Sequence, residues 1–162
     1  MRVLMLDTKY DSDRLPKIEV IWRKNIPEIK DLRCSSNISI LFEYLFSLSE
    51  KTEEYVYMLC LNTALKPIGI FEISHGTVDL SVCNPREVFM KALLVGATSI
   101  IVVHNHPSGD NKPGDVDVKA MKRLVECGEL MKIKLLDSII VGNVRETGVY
   151  SMRSNMPIIF EN

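Results

Sequence analysis

Residues 104–117 read His-Asn-His-Pro-Ser-Gly-Asp-Asn-Lys-Pro-Gly-Asp-Val-Asp, and they decide how the rest of the chain is interpreted. They directly follow residues 99–103, a short apolar and β-branched run that predicts a buried strand. Because alternate side chains of a strand share a face, we expect the imidazoles of His104 and His106 to point the same way. Asp117 follows eleven residues after His106. Two imidazoles and one carboxylate are the protein ligands of a catalytic zinc site that keeps its fourth position for water.

Asp117 also has a position in its own element that favours a metal. Residues 116–131 predict a helix, and Asp117 begins its apolar face. The residues that continue this face are Met121, Leu124 and Val125. A carboxylate that points toward a core needs a partner such as a metal ion, and the N-terminus of a helix adds a favourable potential. The alternative is that Asp115 or Asp117 only caps the helix. For either residue considered by itself, capping would be the better explanation. Beside a strand that ends in His-x-His, we favour the metal.

The order His-x-His-Pro, a short loop and then Asp resembles the motif of the JAMM/MPN metalloproteases, and residues 104–110 resemble their RadC-like bacterial branch in particular. Further segments resemble family segments in the same order, so the resemblance covers roughly residues 36–152. These segments are residues 54–62, 75–78, 85–89 and 136–142. The resemblance implies a RadC-like JAMM/MPN domain over residues 36–162, preceded by an N-terminal extension (residues 1–35) that could contain a strand. It implies an α/β fold, a single domain whose mixed β-sheet is flanked by helices in a cytidine-deaminase-like architecture.

The resemblance also implies roles for the residues at matching positions. The implied zinc ligands are His104, His106 and Asp117. The implied acid/base residue is Glu54, just before the first strand of the domain, and the adjacent Glu53 stays open as an alternative. The family has a serine three residues before the ligand aspartate, where this chain has Gly114. In related enzymes that hydroxyl helps to hold the oxyanion, and the loss of one such donor costs about 10²–10³ in rate.

Two loop residues close to the motif have open interpretations. Ser108 could donate to the oxyanion in place of the missing hydroxyl, although the turn chemistry of its proline- and glycine-rich loop explains this serine as well. Asp110 could orient a ligand imidazole from behind. The chain departs from the family pattern more mildly at Asn84 and Ser138, where the family usually has histidine.

Three functions remain in view. The first is a zinc-dependent hydrolase of a peptide or isopeptide bond, in which Glu54 moves the proton from water to the leaving amine. The second is a catalytically weak or inactive JAMM-like interaction module, which Gly114 favours. The third is an accessory role in DNA metabolism, for which RadC-like proteins were named. The complete set of ligand-type residues favours the hydrolase.

The composition sets further bounds. Hydrophobic residues make up 46% and charged residues 25% of the 162-residue chain, as in an ordinary globular protein. The net charge of −1 gives no general attraction to nucleic acid or membrane. The four cysteines form no Cys-x-x-Cys pair, and no run has the length of a signal peptide or a membrane span. We therefore expect a cytoplasmic protein with a peptide or protein substrate, without membrane or direct nucleic-acid binding. A homodimer stays open.

Periodicity and turn signals outline the remaining elements. Residues 1–15 are charged and lack periodicity, so we expect them to be frayed. Ser35 or Ser36 is expected to cap a helix over residues 37–48. The inward residues of that helix are expected to be Ile40, Leu41, Tyr44 and Leu45. A second helix is expected to begin at Asn84-Pro85 and to run to about Gly96. The expected strands are residues 18–22, 55–61, 67–74, 77–82, 99–103, 135–141 and a short one near 148–152.

Overall fold

The computed structural model describes residues 1–27, 29, 31–76, 83–143 and 148–161. Its strands, in chain order, are β1 (Arg2–Tyr10), β2 (Pro16–Asn25), β3 (Tyr55–Leu61), β4 (Pro67–His75), β5 (Ser99–Asn105), β6 (Lys134–Val141) and β7 (Val149–Ser151). Its α-helices are α1 (Ser35–Phe46), α2 (Pro85–Leu94), α3 (Asp115–Met131) and the single turn α4 (Met152–Asn155). Among these described residues, no helix combines the length and the apolar character that a membrane crossing requires.

The strands form one mixed sheet in the order β2-β1-β4-β3-β5-β6-β7. The central strand β3 pairs antiparallel with both β4 and β5, whereas β5 runs parallel to β6 and β1 runs parallel to β4. Helix α3 connects the parallel neighbours β5 and β6. The single-domain α/β fold with a mixed sheet, which the sequence predicted, is therefore confirmed.

Both faces of the central strands are buried, which explains their nearly continuous apolar sequence. Even-numbered residues of β3 and β5, such as Met58 and Val102, pack with α2 and α3. Odd-numbered residues, such as Leu59 and Ile101, pack with α1 on the other face. His104 follows Val102 in this alternation, so the fold directs it to the side of α3.

Most of the predicted elements are present where expected. Strands β3 to β7 and helices α2 and α3 match the predicted segments within a few residues. The side chain of Asn84 caps α2 as predicted, because its Oδ1 accepts a hydrogen bond of 3.0 Å from the N–H of Arg86. The strand predicted over residues 77–82 lies outside the described residues.

The expectation that residues 1–15 are frayed is wrong. Strand β1 pairs with β2 along its whole length, and its residues Met5 and Leu6 pair with β4. Val3 and Leu6 are buried on opposite faces of the sheet, so the run Val3–Leu6 shows no alternation. Periodicity is also hidden in β2, where Ile21 is an extra residue between the partners of Met5 and Leu6. The predicted N-terminal extension thus extends the same sheet.

Two details of the first helix also differ from the prediction. Cys34, and neither Ser35 nor Ser36, precedes the first helical residue, and its side chain makes no capping hydrogen bond. Leu41 and Leu45 are buried as expected, but Ile40 and Tyr44 are 63% and 64% exposed. The buried stripe is instead Ile38, Leu41, Phe42 and Leu45. Its phase is set by the ring of Phe42, which packs 5.8 Å from the ring of Tyr57 in β3, a contact that helix periodicity alone does not reveal.

Candidate metal centre

The two histidines of the motif face each other at the end of β5. His104 is fully buried, and its Nε2 lies 3.2 Å from Nε2 of His106. His106 follows the last residue of the strand, but its N–H still donates to the carbonyl of Val141 in β6 at 3.2 Å. This bond continues the parallel pairing for one residue beyond β5, which keeps the second imidazole on the same side as the first.

Asp117 approaches both histidines from the first turn of α3. Its Oδ1 lies 3.8 Å from Nε2 of His104, and its Oδ2 lies 3.5 Å from Nε2 of His106. The same Oδ2 accepts a hydrogen bond of 2.6 Å from the N–H of Gly114, the residue before the helix. One carboxylate can therefore both cap the helix and face the histidines, because the bond from Gly114 uses only one lone pair of Oδ2.

Glu54 is the fourth residue of the cluster, and it comes just before β3, the strand that pairs with β5. It directly precedes β3, where Val56 is the register partner of His104, and it is only 6% exposed. One potential ligand atom from each of four residues lies within 4.8 Å of the others. These residues are Glu54, His104, His106 and Asp117. Glu53 is exposed and is not one of these four residues; its Oε2 lies 3.7 Å from the position that a Cβ at Gly76 would take. The structure therefore brings Glu54, rather than Glu53, to the histidines.

Asn105, between the two histidines, is a residue that the sequence did not single out. It is 1% exposed; its Oδ1 accepts from the N–H of Tyr55 at 2.8 Å, and its Nδ2 donates to the carbonyl of Glu53 at 3.0 Å. These two bonds straddle Glu54, whose own carbonyl accepts from the N–H of Gly76 at 3.0 Å. The backbone of Glu54 is thus fixed relative to β5. The only hint in the sequence is the alternation of the strand, which points Asn105 away from the histidines.

The loop after β5 orients the second imidazole. Nδ1 of His106 lies 3.0 Å from the carbonyl oxygen of Asp110, so the neutral ring donates from Nδ1 and leaves the lone pair of Nε2 toward the cluster. Asp110 thus contacts a histidine as predicted, but through its backbone and not through its carboxylate. That carboxylate accepts from the N–H of Lys112 at 3.0 Å. The hydroxyl of Ser108 accepts from the N–H of Asp110 at 3.3 Å, which agrees with the turn interpretation of this serine.

The electrostatics suit a bound cation. Burial lowers the pKa of His104 to about 3, although the charge of Asp117 acts in the opposite direction, so this imidazole is neutral at physiological pH. A hydrogen bond with Asp117 raises the pKa of His106 in spite of partial burial. Burial opposes ionisation of Asp117, but its contact with His106 and the hydrogen bond from the N–H of Gly114 bring its pKa below the usual range. Imidazole lone pairs and carboxylates that converge in a buried site are a donor set for a divalent metal ion.

A cleft of about 500 Å³ opens from this cluster to the surface. Three residues of the cluster line it, namely Glu54, His106 and Asp117. The rest of the lining includes Thr52, Glu53, Ser108, Asp110, Lys112 and Val116. A larger cavity of about 600 Å³ lies elsewhere, lined by residues such as Arg2 and Pro67 at the starts of β1 and β4. We assign the chemistry to the smaller cleft, because Glu54, His106 and Asp117 of the cluster line it.

Gly114 lies on the rim of this cleft in an extended conformation, with φ −78° and ψ 170°. A Cβ built there would meet only Oδ2 of Asp117, at an ordinary contact distance of 3.6 Å. Nothing in the backbone therefore requires glycine, and a serine would fit without strain.

Comparison with known proteins identifies the family of the chain. Residues 35–156 match the family model described as the RadC-like JAB domain. A UPF0758 protein of Clostridium acetobutylicum is 38% identical over 127 residues, which are 78% of this chain and 52% of the relative. A UPF0758 protein of Caldanaerobacter subterraneus subsp. tengcongensis is 43% identical over 118 residues, which are 70% of this chain and 49% of the relative. The chain thus spans about half the length of these curated relatives. With a family match over most of its length, the chain belongs to the RadC-like JAB domain family.

Proposed function

We propose that this RadC-like JAB domain is a zinc-dependent hydrolase of a peptide or isopeptide bond. The observation that carries the proposal is the convergence, beside an open cleft, of four ligand-type side chains within 4.8 Å of one another. These are Glu54, His104, His106 and Asp117. The substrate would be a peptide or protein that places its scissile carbonyl in this cleft. Four free cysteines, two of them buried as thiols, support a cytoplasmic setting for this proposal.

The residues present would hold the ion through Nε2 of His104, Nε2 of His106 and the carboxylate of Asp117. Neutral imidazoles and one carboxylate are a common zinc donor set, and three protein ligands leave a position for a reactant. A zinc ion bound there would supply Lewis acidity, which polarises a carbonyl and makes water more acidic. The carbonyl of Asp110 keeps the His106 ring in the tautomer whose Nε2 lone pair faces the ion.

Glu54 is proposed as the general base and acid. Glu54 precedes β3 and Asp117 belongs to α3, so the two carboxylates come from different elements. Asn105 forms hydrogen bonds with the backbone on both sides of Glu54. In this role Glu54 takes the proton of the attacking water and returns it to the leaving amine. We expect Glu54→Gln to keep the metal and to lose turnover. Glu53→Gln is the matched control and should keep both, because Glu53 is not one of the four residues of the cluster.

A weakly catalytic or inactive interaction module is the second candidate, and Gly114 is the observation that favours it. The missing hydroxyl is not replaced by the backbone at this position, because the N–H of Gly114 is already bonded to Asp117. A low rate with retained metal binding would fit this candidate. The accessory role in DNA metabolism has no comparable support in the geometry of the site.

Metal analysis of the purified chain tests the proposal first. We expect about one zinc per chain, lost in His104→Ala and in His106→Ala. His75→Ala is the matched control, since His75 is exposed and bonded to Glu72 outside the cluster. Hydrolysis of fluorogenic peptides and of an isopeptide-linked conjugate is then measured with the zinc-loaded chain. Zinc content that is the same in all three variants and the parent would contradict the site.

A further inference from the structure

Two adjoining cavities form a groove at the end of the sheet opposite the metal centre. Their volumes are about 600 Å³ and 360 Å³, and they share the lining residues Leu32, Arg33 and Leu65. The groove reaches Arg2 and Lys134, which are the first residues of β1 and β6. His104, in contrast, lies near the end of β5, which is parallel to β6. We call this feature the Arg33 groove.

The rim of the Arg33 groove is strongly positive. Five exposed cationic side chains line it, and they are Arg2, Arg33, Lys66, Lys134 and Arg153. Among the described residues, two carboxylates line the groove with them. Asp31 forms an exposed pair with Arg33, with Nε and Oδ1 3.0 Å apart. Asp137 is buried, and its carboxylate accepts from Ser151 Oγ and from two backbone N–H groups. A quarter of the 20 Lys and Arg residues thus surround one groove of a chain whose net charge is −1.

The floor of the smaller of the two cavities is aliphatic. It consists of Leu32, Leu65, Ile101, Leu136 and Ile139. No aromatic side chain lines either cavity in the described part of the chain. Grooves that bind single-stranded nucleic acid combine positive charge with aromatic rings on which bases stack. An aliphatic floor under a cationic rim instead suits aliphatic side chains alternating with carboxylates.

The backbone conformation of Leu65 is a second, independent indication that the groove binds a ligand. Its φ is +56°, in the left-handed region that glycine and asparagine adopt at less cost than a leucine. The turn around it is otherwise well formed, since Oδ1 of Asn62 accepts from the N–H groups of Ala64 and Lys66. The leucine side chain lines both cavities. A contact between the Leu65 side chain and a ligand would explain why a leucine is present in this unfavourable backbone conformation.

We propose that the Arg33 groove binds an extended segment of a partner protein in which acidic and aliphatic residues alternate. The cationic rim would pair with the carboxylates, and the aliphatic floor would take the side chains between them. Two joined cavities, each open to solvent, accommodate a chain rather than a single small anion. This site is separate from the metal centre, so its occupancy does not depend on hydrolytic activity.

Binding of a labelled peptide of alternating aspartate and leucine, followed by fluorescence polarisation, tests the proposal. We expect binding that weakens as salt is raised. An aspartate–serine peptide and a lysine–leucine peptide should bind much more weakly. The double variant Arg33→Glu/Lys134→Glu should lose about tenfold or more in affinity. The matched control is Lys119→Glu/Lys122→Glu, two exposed cations of α3 outside the groove, and it should bind like the parent.

Leu65→Asn separates binding from folding. Asparagine is favoured at positive φ, so the variant should melt at the same or a higher temperature than the parent while it binds the aspartate–leucine peptide less tightly. The proposal would be overturned by equal affinity in the parent and in Arg33→Glu/Lys134→Glu, or by a failure of the parent to bind the peptide. Tighter binding of oligo-deoxythymidine than of the peptide would also overturn it in favour of a nucleic-acid site.

Discussion

Gly114 is the position beside the cluster where this chain departs most clearly from the family pattern. It sits at the N-terminal boundary of α3, on the cleft rim, and offers only a backbone N–H that is bonded to Asp117. Its extended φ and the open space at its Cβ position mean that backbone strain does not explain the glycine. Its consequence is therefore chemical, because a hydroxyl is lacking beside a site that would stabilise an oxyanion.

Gly114→Ser should raise turnover of a cleavable peptide by up to about 10²–10³, the usual contribution of one oxyanion donor. The serine would also be a slightly better helix cap than glycine, by a few tenths of a kcal/mol (about 0.3). Turnover and zinc content are measured together, so that equal metal loading is established. Gly114→Ala is the matched control, since it adds the same Cβ without the hydroxyl and should bring no gain.

Other outcomes of this experiment are equally informative. A gain in Gly114→Ala as large as in Gly114→Ser would assign the effect to a stiffer backbone and not to the hydroxyl. Robust turnover of the parent that falls when the serine is added would show that the oxyanion is held by another donor. Absence of turnover in all three proteins, with full zinc loading, would favour the interaction module.

Among the elements, the pairing of β3 with β5 does most to assemble the site. The register brings Val56 opposite His104, so the residue just before β3 lies beside the residue just after β5. Backbone pairing stops at that point, and the amide of Asn105 continues it by bonding to Tyr55 and Glu53. The proposed general base and the proposed metal ligands come from different elements, and Asn105 joins the two backbones that carry them.

Asn105→Ala should lower turnover while the zinc content stays near that of the parent. The variant leaves two backbone groups around Glu54 without partners, at a cost of about 1–3 kcal/mol for each group that remains buried. The histidines and Asp117 are held by β5 and α3 and do not need this amide. Asn62→Ala is the matched control, because Asn62 also accepts two backbone hydrogen bonds but in a turn far from the cluster. It should lose stability in urea without losing turnover. If Asn105→Ala lost zinc to the same extent as it lost stability, a positioning role for Asn105 would be contradicted.

Local patterns were sufficient to predict most elements and the grouping of the cluster's histidines. The β-branched run before His104 and the stripe that begins at Asp117 each carry their own periodicity, and both elements are present where expected. The capping signal at Asn84 is equally local and was also confirmed. Features that depend on one short stretch of chain are visible in that stretch.

The remaining features depend on contacts between distant segments. The two buried faces of β1 arise only when that strand joins the sheet, and the phase of α1 is chosen by a contact with Tyr57. The choice between Glu53 and Glu54 depends on the register of β3 against β5, and so does the bridging role of Asn105. Such long-range pairings leave no periodic trace in the sequence, which is why the sequence left them open or missed them.

At the scale of the whole molecule, the fold has two cores of its own, so we expect it to form without a metal. Two apolar clusters, one on each face of the sheet, together involve strands β1, β3, β4, β5 and β6 and helices α1, α2 and α3. The metal centre lies at one end of the sheet, where two carboxylates and two imidazoles meet. Removal of a cation from there leaves like charges and converging lone pairs close together, but it leaves both cores intact.

Chelation of the metal should therefore lower the melting temperature without unfolding the chain. A ligand present at about a hundredfold its Kd stabilises the native state by about 2.7 kcal/mol. For a domain of this size, 1 kcal/mol corresponds to about 2–4 °C in Tm, so the expected drop is about 5–10 °C. Circular dichroism before and after EDTA should show the same spectrum at 25 °C and a single, earlier transition on heating. His75→Ala should show the same drop, whereas His106→Ala should show none, because it has no zinc to lose. Loss of the helical spectrum at 25 °C would mean that folding itself depends on the metal, and an unchanged Tm in the parent would mean that the centre does not bind it.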